Sequence, residues 1–304
     1  MKKGYILFLI TILVLISSSC DDTDLTPAYL IITKEDLQNC INTSTFNDDQ
    51  DEAYGEIDLE AIRSHHFKDV WVYLNGKNLG CWELPCKIPI LPNYSDSNFV
   101  QLVPGIRLNG VSTMIPVYPF LTPFNTTYYM DRENSYQLSD RNVNFKYAPA
   151  VKFPLLETFE QSTEFASIDS DGVNIQIVSH DNRTVGQISL QDTVTFFDVK
   201  SPKYTLKGSG NFTLWEMDYK CDNDVFIELF VHNISGTITP VSLVTIKATN
   251  GEWKKIYINL TSTLTQFTSS ASTIGVELVM NGNRLGNNAV TNFYFDNIKL
   301  ITFE

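Results

Sequence analysis

Apolar and polar residues alternate in many short runs along this chain, the pattern of strands that keep one face in a core. The clearest is Val70-Trp71-Val72-Tyr73-Leu74, followed at once by Asn75-Gly76, a pair suited to a tight hairpin turn. Residues 99–106 predict the next strand, and 29–33 a first one. Later runs at 174–178, 212–219, 225–231, 254–260 and 274–280 continue the pattern, with turns expected at Asp171-Gly172, Asn250-Gly251 and Asn281-Gly282. Strands at this spacing predict an all-β chain of two sandwiches. The acidic stretch 47–58 reads as a solvated loop. Its spacing from Asp49 imitates a calcium-binding EF-hand, but Ala53 removes a ligand position and Tyr54 stands where the turn needs glycine.

The amino-terminal pattern is different. Lys2 and Lys3 precede an apolar run over 5–16, then Ser17, Ser18, Ser19 and Cys20. The run is too short to span a bilayer as a helix and has the layout of a secretory signal. The small residues before Cys20 resemble a bacterial lipobox, with Ser17 where leucine is usual. The resemblance implies a lipid on the Cys20 thiol and membrane anchoring. Asp21, Asp22 and Asp24 resemble the export signal of surface-exposed lipoproteins in Bacteroidota. The expected organisation is a signal over 1–19, an acidic tether over 20–28, a first β-sandwich over 29–150 and a second over 155–304, with the protein displayed on the outer membrane.

Charge narrows the partners. The formal net charge is −13, or −15 without Lys2 and Lys3. Such a chain has no electrostatic basis for binding nucleic acid, while acidity leaves room for calcium. Beyond Cys20 stand Cys40, Cys81, Cys86 and Cys221. In an oxidising compartment they allow three pairings, and Cys81 and Cys86 could close a small disulfide loop. No Cys-x-x-Cys or matching histidine pair suggests zinc.

Several short motifs resemble known families. A strand, Asn75-Gly76, Leu79-Gly80, Leu84-Pro85 and a strand before Gly105 are similar to PEGA-like, Ig-like domains of bacterial envelope proteins. Phe159-Glu160, the Gly251-Glu252-Trp253-Lys254-Lys255 strand entry and the closing Phe295-Asp296-Asn297-Ile298 resemble lectin-like jelly-roll carbohydrate-binding modules. Together they resemble a Bacteroidota family of surface lipoproteins that joins the two. The second resemblance implies that Glu160 and Asp296 could share a structural calcium that ties the terminal strands.

No catalytic centre stands out. Glu216 and Asp218 would share one face of a strand, as in the Glu-x-Asp-x-Glu of jelly-roll glycosidases, but Lys220 takes the acid/base position. The chain is therefore expected not to be an enzyme. Trp215 and Trp253 read as core rather than as a sugar platform, and His232 as a solvated strand end. Two functions fit. In the first, the protein is a non-catalytic subunit of an outer-membrane complex. It would dock through the proline-rich run 117–124, with Tyr118, Phe120 and Phe124 as the contact. In the second, it is a surface lipoprotein that binds glycans.

Overall fold

The computed structural model describes residues 26–46, 54–208, 210–233, 236–267, 273–286 and 290–303. Cys20, the signal segment and most of the acidic stretch lie outside them.

The first unit holds β1 (Ala28–Ile32), β2 (Ile41–Asn42), α1 (Glu56–Arg63), β3 (Asp69–Leu74), β4 (Lys77–Glu83), β5 (Cys86–Ile90), β6 (Ser97–Gly105), β7 (Phe124–Tyr129), β8 (Ser135–Gln137) and β9 (Phe145–Lys146). Asn75 and Gly76 have φ of 51° and 79°, so the β3–β4 hairpin uses the primed turn its sequence demands. A four-stranded sheet runs in the order β4-β3-β6-β7. A three-stranded sheet, β5-β1-β8, and the short pair β2-β9 complete the small sandwich. The helix α1 replaces part of the expected loop, because Leu59, Ala61 and Ile62 fall on one helical face and are buried.

The chain enters the second unit through β10 (Val151–Glu157). Then follow β11 (Ala166–Ser167), β12 (Gln176–His180), β13 (Arg183–Leu190), β14 (Phe196–Lys200), β15 (Tyr204–Lys207), β16 (Thr213–Cys221), β17 (Val225–His232), β18 (Ile238–Ile246), β19 (Lys254–Asn259), α2 (Thr261–Phe267), β20 (Thr273–Asn283) and β21 (Thr291–Phe303). Two six-stranded antiparallel sheets form a jelly-roll sandwich. One runs β12-β13-β21-β16-β19, with β10 also on β21; the other runs β11-β14-β20-β17-β18, with β15 also on β20. Their facing sides enclose Trp215, Met217, Phe293 and Phe295 from the first sheet and Ile227, Leu229, Leu278 and Met280 from the second. Asn281-Gly282 is not a turn but the end of β20. A Cβ on Gly282 would lie 2.7 Å from Phe197 Cε1, so glycine there makes room for a buried ring.

The two units share packing. Leu214, Tyr257 and Ile301 come from the second unit but belong to the first unit's core. Tyr118 and Phe120 are buried at this seam. The Tyr118 hydroxyl donates to Glu216 Oε1 at 2.6 Å, and Phe120 packs on Phe303 with ring centroids 4.9 Å apart. Tyr118 and Phe120 therefore offer no surface to another protein, because the partner they cover is the second sandwich of their own chain. The run bridges to the end of β6 through Val117 and Gly105, and the second unit buries Tyr118 and Phe120. Phe124 is half-buried, against Phe145. The Cys81–Cys86 disulfide also fails. Both thiols are free, and the turn between them carries the chain from the four-stranded sheet to the three-stranded one. Cys40 and Cys221 are buried free thiols.

Candidate functional site

The second unit's two outer sheet faces have opposite fates. The face formed by β16, β19 and β21 lies against the first unit. Glu216 and Lys299 pair there at 3.2 Å with both side chains about 1% exposed. The lysine also donates to the Ser64 carbonyl at 2.8 Å. Burial lowers its pKa to about 8, and Glu216 opposes that fall. Glu216 is thus committed to the seam, where no substrate can reach it. Trp215, Met217 and Tyr219 point the other way, into the core.

The outer face of the other sheet is open. Alternation along Val225-Phe-Ile-Glu-Leu-Phe-Val-His232 buries every odd-numbered residue and turns Phe226, Glu228, Phe230 and His232 outward. The register then sets rows across the strands. One row reads Thr245, Phe226, Asn281, Asp198; the next reads Ser242, Glu228, Val279, Lys200. Phe230 lies beside Glu277, and Phe196 beside Asn283. With strands about 4.8 Å apart, a four-strand row is roughly 14 Å long. Phe196 is 53% and Phe226 39% exposed. A hollow of about 310 Å³ opens among Phe196, Asp198, Glu228, Phe230, Asn281 and Asn283.

Two carboxylates on this face already hold partners. Glu277 accepts from Lys200 at 2.8 Å and meets His232 Nε2 at 3.0 Å. Burial raises its pKa, but the two basic neighbours outweigh that and hold it below its usual range. Glu228 accepts from the Ser242 hydroxyl at 3.1 Å. The Asp198 carboxyl is pushed up, first by burial and then by Asp169. Apolar rings beside carboxylates and amides suit a ligand with both apolar and hydroxyl-bearing faces. Sequence reasoning missed this platform because it looked for tryptophan. The signal was present in β17, whose second face carries two phenylalanines.

Glu160 and Asp296 both line a different recess, the cleft between the units. Glu160 is exposed, while Asp296 is nearly buried and accepts from Arg183 Nη1 at 3.2 Å. Among the described residues no group of three or more His, Cys, Asp or Glu side chains gathers to hold a metal. The charged partner shown at Asp296 is the Arg183 guanidinium, not a second carboxylate. Trp253 is half-buried beside the same cleft, with the Arg183 guanidinium 4.6 Å from its ring centre.

No protein-family model matches the chain, and no curated protein matches its sequence. Solved structures that align with about half of it include a xylan-binding domain from Paenibacillus barcinonensis, at 11% identity over 52% of this chain and 98% of that one, with a TM-score of 0.35. A family 11 carbohydrate-binding module from Clostridium thermocellum, in complex with a β-1,3-1,4-mixed-linked tetrasaccharide, gives 21% identity over 50% and 96%, with a TM-score of 0.33. A module specific for non-crystalline cellulose gives 13% over 47% and 91%, with a TM-score of 0.36. Ligand preference does not transfer at these levels of similarity.

Proposed function

We propose that this protein is a non-catalytic, surface-displayed lipoprotein, anchored through Cys20, whose jelly-roll unit binds glycans on its open sheet face. One observation carries the proposal: Phe196 and Phe226 stand exposed beside a hollow lined by Asp198, Glu228, Asn281 and Asn283. Two exposed rings that flank one hollow form the kind of patch that a ligand or partner covers. A sugar ring can lay its C–H face on phenylalanine while its hydroxyls bond to the neighbouring carboxylates and amides. The first unit, PEGA-like in this proposal, acts as the platform that holds the jelly roll away from the membrane. The complex-subunit alternative loses its candidate patch, since Tyr118 and Phe120 are buried.

Titration with a panel of soluble oligosaccharides tests the proposal. Phe226→Ala should weaken the best ligand at least tenfold, about 1.4 kcal/mol, with little change in melting temperature. Unchanged affinity in a Phe196→Ala/Phe226→Ala double variant would reject the face as the site. Fatty-acid labelling that persists in Cys20→Ala would reject the anchor.

A further inference from the structure

A second recess lies away from the open face. It is a cleft of about 1110 Å³ between the two units, larger than the roughly 300–1,000 Å³ typical of small-molecule pockets. Its one wall is α1 with Ser64 and His66 from the first unit; its other is the surface of β13, β16 and β21 with Trp253 from the second. Ligand sites favour such junctions between units.

The floor is built by a bulge. Between Glu216 and Asp218 the β16–β21 register shifts, and Asn297 takes a left-handed backbone with φ of 48°. The shift sets Asp218 directly opposite Asp296, so the two carboxylates project side by side. Each is held in place. Asp218 accepts from Lys255 Nζ at 3.2 Å, Ser64 Oγ at 3.1 Å and Asn297 Nδ2 at 2.9 Å. Asp296 accepts from the Asn297 backbone N–H at 2.8 Å and from Arg183 at 3.2 Å.

Charge on this floor is cancelled in place. Lys255 answers Asp218, Arg183 answers Asp296, and Arg63 answers Glu56 at 2.7 Å. Exposed Glu60, Glu160 and Lys254 remain on the rim. A free anion would meet the carboxylates, and a free cation would meet the resident lysine and arginine. Groups that both donate and accept without charge face neither penalty. Amide and hydroxyl side chains at Gln38, Asn39, Asn182 and Thr184 extend the same chemistry along the walls. Trp253 also lines the cleft, with the Arg183 guanidinium 4.6 Å from its ring centre and its indole N–H given to Asp181 at 3.0 Å.

We propose that the cleft between the units is a second saccharide site, which takes a segment of a neutral, polyhydroxylated chain against Trp253, Asp218 and Asp296. It goes beyond the open face and does not depend on it.

The test uses the full chain and calorimetric titration with neutral hexasaccharides: cellohexaose, xylohexaose, mannohexaose and maltohexaose, with a galacturonate hexamer as the anionic probe. Three variants are compared with the parent: open-face Phe196→Ala/Phe226→Ala, cleft Trp253→Ala and the near-isosteric cleft variant Asp296→Asn, each checked for an intact melting transition. The proposal expects the open-face variant to retain one neutral-ligand site, and adding Trp253→Ala or Asp296→Asn to that variant to weaken it at least tenfold. If the parent binds and the open-face variant binds nothing, the cleft proposal falls and the open-face reading stands. If binding is lost in the cleft variants and untouched in the open-face variant, the cleft stands and the open-face reading falls. Preference of the open-face variant for the galacturonate hexamer would overturn the neutral class. Silence of the parent toward every probe would overturn both.

Discussion

The two sheets of the jelly roll obey one alternation rule and end in opposite environments. On β16 the residues turned away from the core are Leu214, Glu216 and Asp218, and the first unit covers them. On β17 the corresponding residues are Phe226, Glu228, Phe230 and His232, and Phe226 stays 39% exposed. A carboxylate on the covered face must have a resident cation, so Glu216 keeps Lys299. A carboxylate on the open face can make do with a hydroxyl, as Glu228 does with Ser242. Covering thus turns charge into a structural obligation, while exposure leaves it free for recognition.

Breaking the covered side should cost most. Glu216→Ala leaves Lys299 buried without its counter-ion and should destabilise the protein by about 3–5 kcal/mol. Denaturant titration measures this, and a Glu216→Met/Lys299→Met variant should recover most of the loss.

A smaller effect, and one that depends on pH, is expected at the edge of the covered face. Burial first, and then the Asp218 charge, raise the Asp296 pKa from 3.8 to about 7. Between about pH 4 and pH 7 the folded protein therefore holds a proton that the unfolded chain has released. The Asp296 contribution to stability is largest at the acid end of that window and falls as pH rises through 7. Asp218 is shifted the other way. Burial is opposed by Lys255, Asn297 and Ser64, so its stabilising contribution is present above about pH 4. Asp296→Asn removes only the first trend. The variant should gain stability relative to the parent between pH 5 and pH 8, by an amount of the order of 1–3 kcal/mol. Melting curves across that range check the direction.

Changes on the open face should be smaller still in stability. Phe226→Ala should cost less than about 1 kcal/mol, since the ring is already partly in water. The same change in a core ring such as Phe197 should cost about 3–5 kcal/mol. Least of all, calcium or a chelator should shift the melting temperature by no more than about 1 °C, because Arg183 already occupies the neighbourhood of Asp296. A calcium-dependent rise would reopen the shared site with Glu160.

Much of the architecture was legible in the chain, and the misses have local causes. Asn75-Gly76 and Asn250-Gly251 announced their turns because both pairs do take positive φ. Asn281-Gly282 carries the same letters but serves as space for the Phe197 ring, a contact between strands far apart in sequence. The eight residues of α1 hold too few apolar positions to stand out beside an acidic run. Tyr118 and Phe120 were readable as contact residues by composition, but the identity of what they contact depends on how the two units pack. For the same reason the open face could not be told from the covered one: alternation gives two sides to every strand and does not say which side a neighbour will shield.

The strand β10 has a mechanical meaning. It begins in the first core with Val151 and Phe153, continues into the second with Leu155, and pairs with β21 from Val151 to Glu157. The passage between units is therefore spliced into a sheet instead of strung on a tether. Tension applied between the amino-terminal end and a ligand held by the jelly roll would load a ladder of backbone hydrogen bonds and the buried seam together. Such a chain behaves as a stiff bracket. It fixes the bearing of the open sheet face relative to the first sandwich.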